Sequence, residues 1–231
     1  MQISLLMAQA AEAVEVAASQ PQVKETTYFD LVFAKNSLWI MIPLFLMLAF
    51  AIYLFVKKMI VLNRASKEEH NFMNNIRDFI HDGKLDSAVA LCKGNDTPTA
   101  RLIEKGLSRI GHPLEDIRTA IENEGNLEVE RLEKGVSAVA TIAAIAPMLG
   151  FLGTVVGMVS AFHAMAADPN NFNIGTLSNG IYTAMITTVA GLIVGVIALV
   201  LHNFIVSRIS NVVYLLEVRT TEFMDLLHEN A

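Results

Sequence analysis

Two long apolar runs with no polar face dominate the second half of the chain, Val136–Ala167 and Gly180–Ile205, joined by a polar connection around Asp168–Ser178. Neither run contains Asp, Glu, Lys or Arg. A core helix of a water-soluble protein would show polar residues at helical spacing on its outer side. Each run exceeds the roughly 20 residues a helix needs to cross hydrocarbon, so the pair predicts a transmembrane hairpin. A third charge-free run, Ser37–Val56, lies upstream, with Trp39 and Tyr53 near its ends, where amphipathic rings favour the membrane–water boundary. Pro43 falls in its first turns, where a missing N–H costs least.

Between the first and second runs the apolar residues recur at helical spacing. Phe72, Ile76, Phe79 and Ile80 form one face that stops at His81-Asp82-Gly83. A short helix from Leu85 ends at Gly94-Asn95, with Leu85, Ala88, Val89 and Cys92 on its buried side. Thr97-Pro98 reads as an N-cap followed by proline at the first helical position, leading into Leu102, Ile103, Leu107 and Ile110 before Gly111. Pro113 opens a further helix with Leu114, Ile117 and Ile121 on one face, and the pattern then runs into the second span past Gly135. As a helix that span is about 48 Å long, against a hydrocarbon core of about 30 Å, so one end should project into the cytoplasm and meet the loop helices. Beyond Arg208 the third span should continue as an amphipathic tail carrying Ile209, Val212, Val213, Leu216, Phe223 and Leu227.

Lys and Arg set the orientation. Lys57, Lys58, Arg64 and Lys67 follow the first span, Arg131 and Lys134 precede the second, and Arg208 and Arg219 follow the third. Lys35 and Asp168 are the charges expected near the opposite ends of the spans. The positive-inside rule then places the N-terminus outside and the C-terminus inside. The expected layout is all-α, an integral membrane protein with three transmembrane helices. It comprises a periplasmic segment 1–36, a first span 37–56, a helical cytoplasmic loop domain 57–135 and a second span with cytoplasmic extension 136–167. A periplasmic loop 168–179, a third span 180–205 and a cytoplasmic helical tail 206–231 complete it. Within the first segment, Ser4–Ala18 reads as a short amphipathic helix. A cleaved signal peptide ending at Ala8-Gln9-Ala10 is the rival reading, opposed by the absence of a preceding Lys or Arg and by a very short apolar core.

Composition agrees with a small multi-span membrane protein: 53% of the 231 residues are hydrophobic. The net charge of −6 and the lack of a basic stripe with interleaved aromatics give no sign of nucleic-acid binding. A single cysteine, Cys92, excludes an intramolecular disulfide and a cysteine-based metal site within one chain. No P-loop, His-Glu-x-x-His, Gly-x-Ser-x-Gly or dinucleotide fingerprint is present, and the expectation is that the chain is not an enzyme and has no cofactor or metal.

The residues that stand out are small or hydroxylated and lie inside the apolar runs. Gly150, Gly153 and Gly157 share one side of the second span, and Gly180, Ala184, Gly191 and Gly195 form a comparable face on the third. In lipid such residues let helix backbones approach closely, and Pro147 should bend the second span. Thr154 and Thr188 fall at similar depth on antiparallel spans, near the bilayer middle. A lone threonine in a helix most often bonds the carbonyl one turn back. Four together, Thr154, Thr183, Thr187 and Thr188, point to a polar path shared between helices or subunits. His163 and His202 lie near span ends at opposite faces, too far apart to pass a proton directly, and read as interfacial anchors.

The segments Ala146–Phe162 (APMLGFLGTVVGMVSAF) and Gly180–Asn203 (GIYTAMITTVAGLIVGVIALVLHN) resemble the second and third spans of the MotA/TolQ/ExbB proton-channel family, closest to its ExbB branch. Three spans fit ExbB and TolQ better than the four-span MotA. The resemblance implies a homo-oligomeric ring, a pentamer, lined by the second and third spans. It also implies a single-span ExbD-like partner in the pore and a TonB-like protein energised by the proton-motive force at the bacterial inner membrane. The family's two pore threonines fall on Thr154 and Thr188. Many relatives carry glutamate five residues before the second of these, where this chain has Thr183, so any carboxylate on the path would come from the partner helix. A TolQ-like role in envelope integrity and a non-conducting membrane scaffold remain the alternatives.

Overall fold

The computed structural model describes residues 38–66, 71–167 and 174–229. The periplasmic segment expected at 1–36, with its Ser4–Ala18 helix and the Ala8-Gln9-Ala10 site, lies outside the described residues, as do Asp168 and Asn171 of the polar connection. Seven helices make up the described fold: α1 Leu38–Ala65, α2 Phe72–His81, α3 Leu85–Gly94, α4 Pro98–Leu107, α5 Leu114–Glu133, α6 Val136–Ala167 and α7 Ile174–Glu229. Three stretches are long and apolar enough to cross a membrane, one in each of α1, α6 and α7.

The sequence signals set most helix ends. The hydroxyl of Thr97 accepts the amide hydrogen of Ala100 at 3.3 Å with Pro98 behind it, satisfying one of the amides that open α4. α2 gives way to Gly83 at φ +70 and the α4–α5 connection to Gly111 at φ +99, both left-handed positions that favour glycine. α4 itself closes at Leu107, so Ile110 lies in the connection rather than on the helix.

Two helices are longer than hydrophobicity alone indicated. α1 runs to Ala65, past the expected end at Val56, because nothing after Lys57 breaks a helix. α7 is one continuous rod of 56 residues, about 84 Å in length, that includes the expected span 180–205 and, as far as Glu229, the tail expected at 206–231. It also begins at Ile174, inside the stretch read as a polar connection; polarity ends a membrane span but does not by itself end a helix.

α6 and α7 pack along the full apolar stretch as an antiparallel pair, and α1 lies across both. Ile40 and Leu44 of α1 meet Ala146 and Val194; lower down Ala51 meets Ile142 and Ala198. At the far end α2–α5 wrap around the end of α7 and the first turns of α6. Their core holds Phe72, Ile76, Ile103, Ile121, Val139, Ile205 and Phe223, each at most 2% exposed. Cys92 is in this core, and burial pushes its thiol up to about 12, which removes it as a nucleophile.

Between α5 and α6 the chain turns at Lys134-Gly135, with Gly135 at φ +87. Lys58 of α1 reaches this elbow. Its ammonium donates to the carbonyl of Leu132 at 2.8 Å and of Arg131 at 3.4 Å, meeting the last carbonyls of α5 and the negative end of its dipole. Burial, with help from Lys57, holds the Lys58 pKa below the ordinary lysine value.

A candidate polar site in the transmembrane hairpin

The hairpin seam is a line of backbone-to-backbone approaches. A Cβ on Gly191 would lie 2.7 Å from the carbonyl oxygen of Ala146 and 2.8 Å from the Cα of Gly150. On Gly150 it would lie 2.9 Å from the carbonyl oxygen of Thr187. The contact is reciprocal, each helix turning a glycine to the other's carbonyl, and both need the missing side chain. Gly157 meets Ala184 and Gly153 meets the side chain of Thr187, so the line continues toward the α6 C-terminus.

Pro147 sits inside an α6 that stays helical from Val136 to Ala167. Its ring comes within 2.6 Å of where a Gly195 Cβ would be, and the carbonyl it cannot serve, that of Ala143, lies 3.2 Å from the same point. The small-residue face of α7 therefore receives both the proline ring and the carbonyl freed by it.

Thr154 and Thr188 are brought into direct hydroxyl–hydroxyl contact across the seam. Thr188 Oγ1 also lies 3.0 Å from the Gly150 carbonyl oxygen and Thr154 Oγ1 3.4 Å from that of Ala184, so the two hydroxyl protons serve two of these three bonds at a time. Each hydroxyl has one proton and two acceptor sites, so the pair can exchange donor and acceptor roles with each other or with water. Both side chains are half-buried.

The other two threonines behave differently. Thr187 is 2% exposed and its hydroxyl donates mainly to the Ala184 carbonyl of its own helix at 2.6 Å, the local bond expected of a lone threonine, with the Gly150 carbonyl of α6 farther off at 3.4 Å. It fills the space above Gly153, where Ile40 of α1 also arrives. Thr183 precedes Thr188 by five residues, about 140° around the helix at 100° per residue, and so shares a side with Thr187 instead. The structure joins Thr154 to Thr188 and puts Thr183 and Thr187 on the neighbouring face. His163 is exposed at one end of α6, and His202 is half-buried beside Asn203.

Sequence reasoning missed a charged site outside the spans. Glu128 of α5 is 1% exposed, and Arg101 of α4 donates to both its oxygens, Nε to Oε1 and Nη2 to Oε2, each at 2.8 Å. Arg131 adds a third charge-assisted contact to Oε1, and Asp96 Oδ1 holds the far side of Arg101 at 2.5 Å. The hydrogen bonds to Glu128 raise the Arg101 pKa further above its usual value. The signal was legible: Glu128 falls on the stripe Ile121, Gly125, Leu132, and a carboxylate on an apolar face implies a fixed partner. Among the described residues no group of three or more His, Cys, Asp or Glu could hold a metal.

Comparison with known proteins bears on the same region. A putative biopolymer transport protein ExbB homolog of Methanothermobacter thermautotrophicus is 34% identical over 117 residues, 49% of this chain but only 40% of the relative's length. A putative biopolymer transport protein ExbB-like 3 of Synechocystis is 24% identical over 163 residues, 70% of this chain and 78% of the relative. The Tol-Pal system protein TolQ of Haemophilus influenzae aligns almost end to end, 26% identical over 233 residues, 90% of this chain and 96% of its own. The MotA/TolQ/ExbB proton channel family matches residues 94–218, a stretch that holds the Thr154–Thr188 pair, the glycine seam and the Glu128 cluster. With three apolar helices and more than half of its length covered by that match, the chain belongs to the MotA/TolQ/ExbB proton channel family.

Proposed function

We propose that this chain is an ExbB-like pore-wall subunit of an inner-membrane motor that uses the proton-motive force to energise a TonB-like protein. The observation that carries the reading is the Thr154–Thr188 hydroxyl pair, held across the hairpin in a span region without a single Asp, Glu, Lys or Arg. Hydroxyls orient water and donate to a carboxylate, but they do not titrate near neutral pH. A proton carrier therefore has to come from elsewhere, and buried membrane carboxylates are kept where they function. The carrier in this reading is an aspartate on an ExbD-like single-span helix, seated at the level of Thr154 and Thr188. The wall is a ring of copies of this chain, a pentamer by resemblance. The N-terminus and 168–179 face the periplasm; 57–135 and 206–231 face the cytoplasm. Thr183 and Thr187 serve helix packing more directly than the path.

The test is reconstitution in liposomes with a pH gradient. Alone, the chain should pass few protons; with its partner it should support proton-dependent work, which Asp→Asn in the partner should abolish. Robust flux through the chain alone, lost when His163 or His202 is replaced, would overturn the proposal. A cysteine placed at Asn171 should label with an impermeant reagent in intact cells, and labelling only after permeabilisation would reverse the topology. The second reading, a TolQ-like role in envelope integrity, is favoured by the end-to-end alignment with the Haemophilus protein. Identifying the single-span proteins that co-purify with the chain separates the two.

A further inference from the structure

α1 carries a second kind of surface. Phe50, Tyr53, Lys57, Ile60 and Arg64 recur at spacings of three and four and so lie on one face. All five are exposed, the three apolar or aromatic ones by 50 to 59%. The face thus begins as an apolar stripe suited to acyl chains and ends in two cations about two turns apart, with Ile60 between them.

Neither cation is committed within the described fold. Lys57 and Arg64 meet no carboxylate there, whereas their neighbour Lys58 is turned away to the α5 carbonyls. From Leu38 to Glu69 the sequence holds four cations against two carboxylates, Glu68 and Glu69, a local net of +2 in a chain whose net charge is −6. A local excess of positive charge at the end of a lipid-facing stripe attracts anionic headgroups, and the attraction falls off within a Debye length.

We propose that this face of α1 is a binding site for anionic phospholipid, with the phosphate of one headgroup between Lys57 and Arg64 and its acyl chains along Phe50 and Tyr53. The continuity of cations with exposed apolar surface selects a lipid over an acidic protein segment, which would leave Phe50 and Tyr53 unused. Lys58, at the same level, takes no part because its ammonium caps α5.

Spin-labelled phosphatidylglycerol and phosphatidylcholine, each added to the full chain reconstituted in phosphatidylcholine bilayers, give the relative association directly. The wild-type chain should prefer phosphatidylglycerol, and each of Lys57→Gln and Arg64→Gln should lower the preference roughly fivefold or down to parity, whichever comes first. Both side chains are exposed, so circular dichroism should show unchanged helix content. Lys58→Gln should leave the preference intact while loosening the elbow. Equal association of the two lipids with the wild type would overturn the proposal. So would a preference that survives the double variant, or one removed by millimolar inorganic phosphate, which would mark a bare phosphate site. Wild-type parity with an acidic protein lost from the purified double variant would assign the face to a protein.

Discussion

The α6–α7 hairpin and the base built by α2–α5 around the end of α7 are both helix-on-helix contacts, yet their chemistry is opposite. The seam of the hairpin is glycine, alanine, proline and threonine, with main-chain atoms meeting main-chain atoms. The base is Phe72, Ile76, Ile103, Ile121 and Phe223, closed by the Glu128 cluster. Water explains the base, since burying large apolar side chains there removes them from solvent at about 25 cal/mol per Å². Lipid gives no such drive between helices, so the hairpin depends on close approach and on hydroxyl bonds. Large apolar residues of the spans, Phe151, Val159 and Val196 among them, are left outward instead. One rod, α7, passes through both environments and changes the residues it buries, from Ala184 and Gly191 to Leu216 and Phe223.

The contrast breaks most severely at Gly191. A side chain there strikes the Ala146 carbonyl and the Gly150 backbone, which cannot rotate away. Gly191→Leu should splay the hairpin, cost about 3 kcal/mol, and eliminate a disulfide crosslink engineered between α6 and α7. The control belongs to the same comparison: Gly94, with open space around its Cβ position, should accept alanine with almost no change in melting temperature. A folded, crosslinkable Gly191→Leu protein would show that the seam is not a packing limit.

In the base, the sensitive point is charge rather than volume. Arg101→Met leaves the buried Glu128 with Arg131 as its one remaining arginine partner, and Arg131 is 60% exposed. The expected loss is about 3 kcal/mol, the low end for a broken buried pair because Arg101 itself reaches solvent. The measurement is the thermal transition in detergent, and a shift of less than a degree would mean that the cluster is screened like a surface pair.

Thr188→Val and Thr187→Val sharpen the reading of the seam. Each removes one hydroxyl at nearly constant volume, with an expected stability change of about 1 kcal/mol. Only Thr188→Val should stop proton-driven work with assembly intact, because Thr188 faces the Thr154 hydroxyl while the buried Thr187 hydroxyl meets carbonyls alone. Equal loss of work in both variants would favour the scaffold reading.

The smallest effect is at Cys92. Its thiol is pushed up to about 12 by burial, so the folded protein should resist alkylation through pH 8–10 while the unfolded chain reacts. The sign is that of an acid held protonated: the stabilising contribution is complete below the unfolded pKa near 9 and is lost as pH rises toward 12. Rapid alkylation of the native protein at pH 8 would contradict the burial.

The sequence by itself determined a great deal here, and the reasons are local. Charge-free runs longer than a bilayer admit few structures besides spanning helices, because each backbone group must bond within its own segment. Thr97-Pro98, Gly83 and Gly111 likewise act through neighbouring backbone, so the α4 cap and the turns could be read residue by residue. The depth match of Thr154 and Thr188 followed from counting 1.5 Å steps along antiparallel helices. Only the tertiary structure decided which threonines meet, because facing depends on the rotation of one helix about its axis against another. That rotation is fixed by the Gly150–Gly191 contact and by α1. It likewise took the fold to bring Arg101 to Glu128, 27 residues away, and Lys58 to the end of α5, since no local pattern states where an exposed-looking cation will find its acceptor.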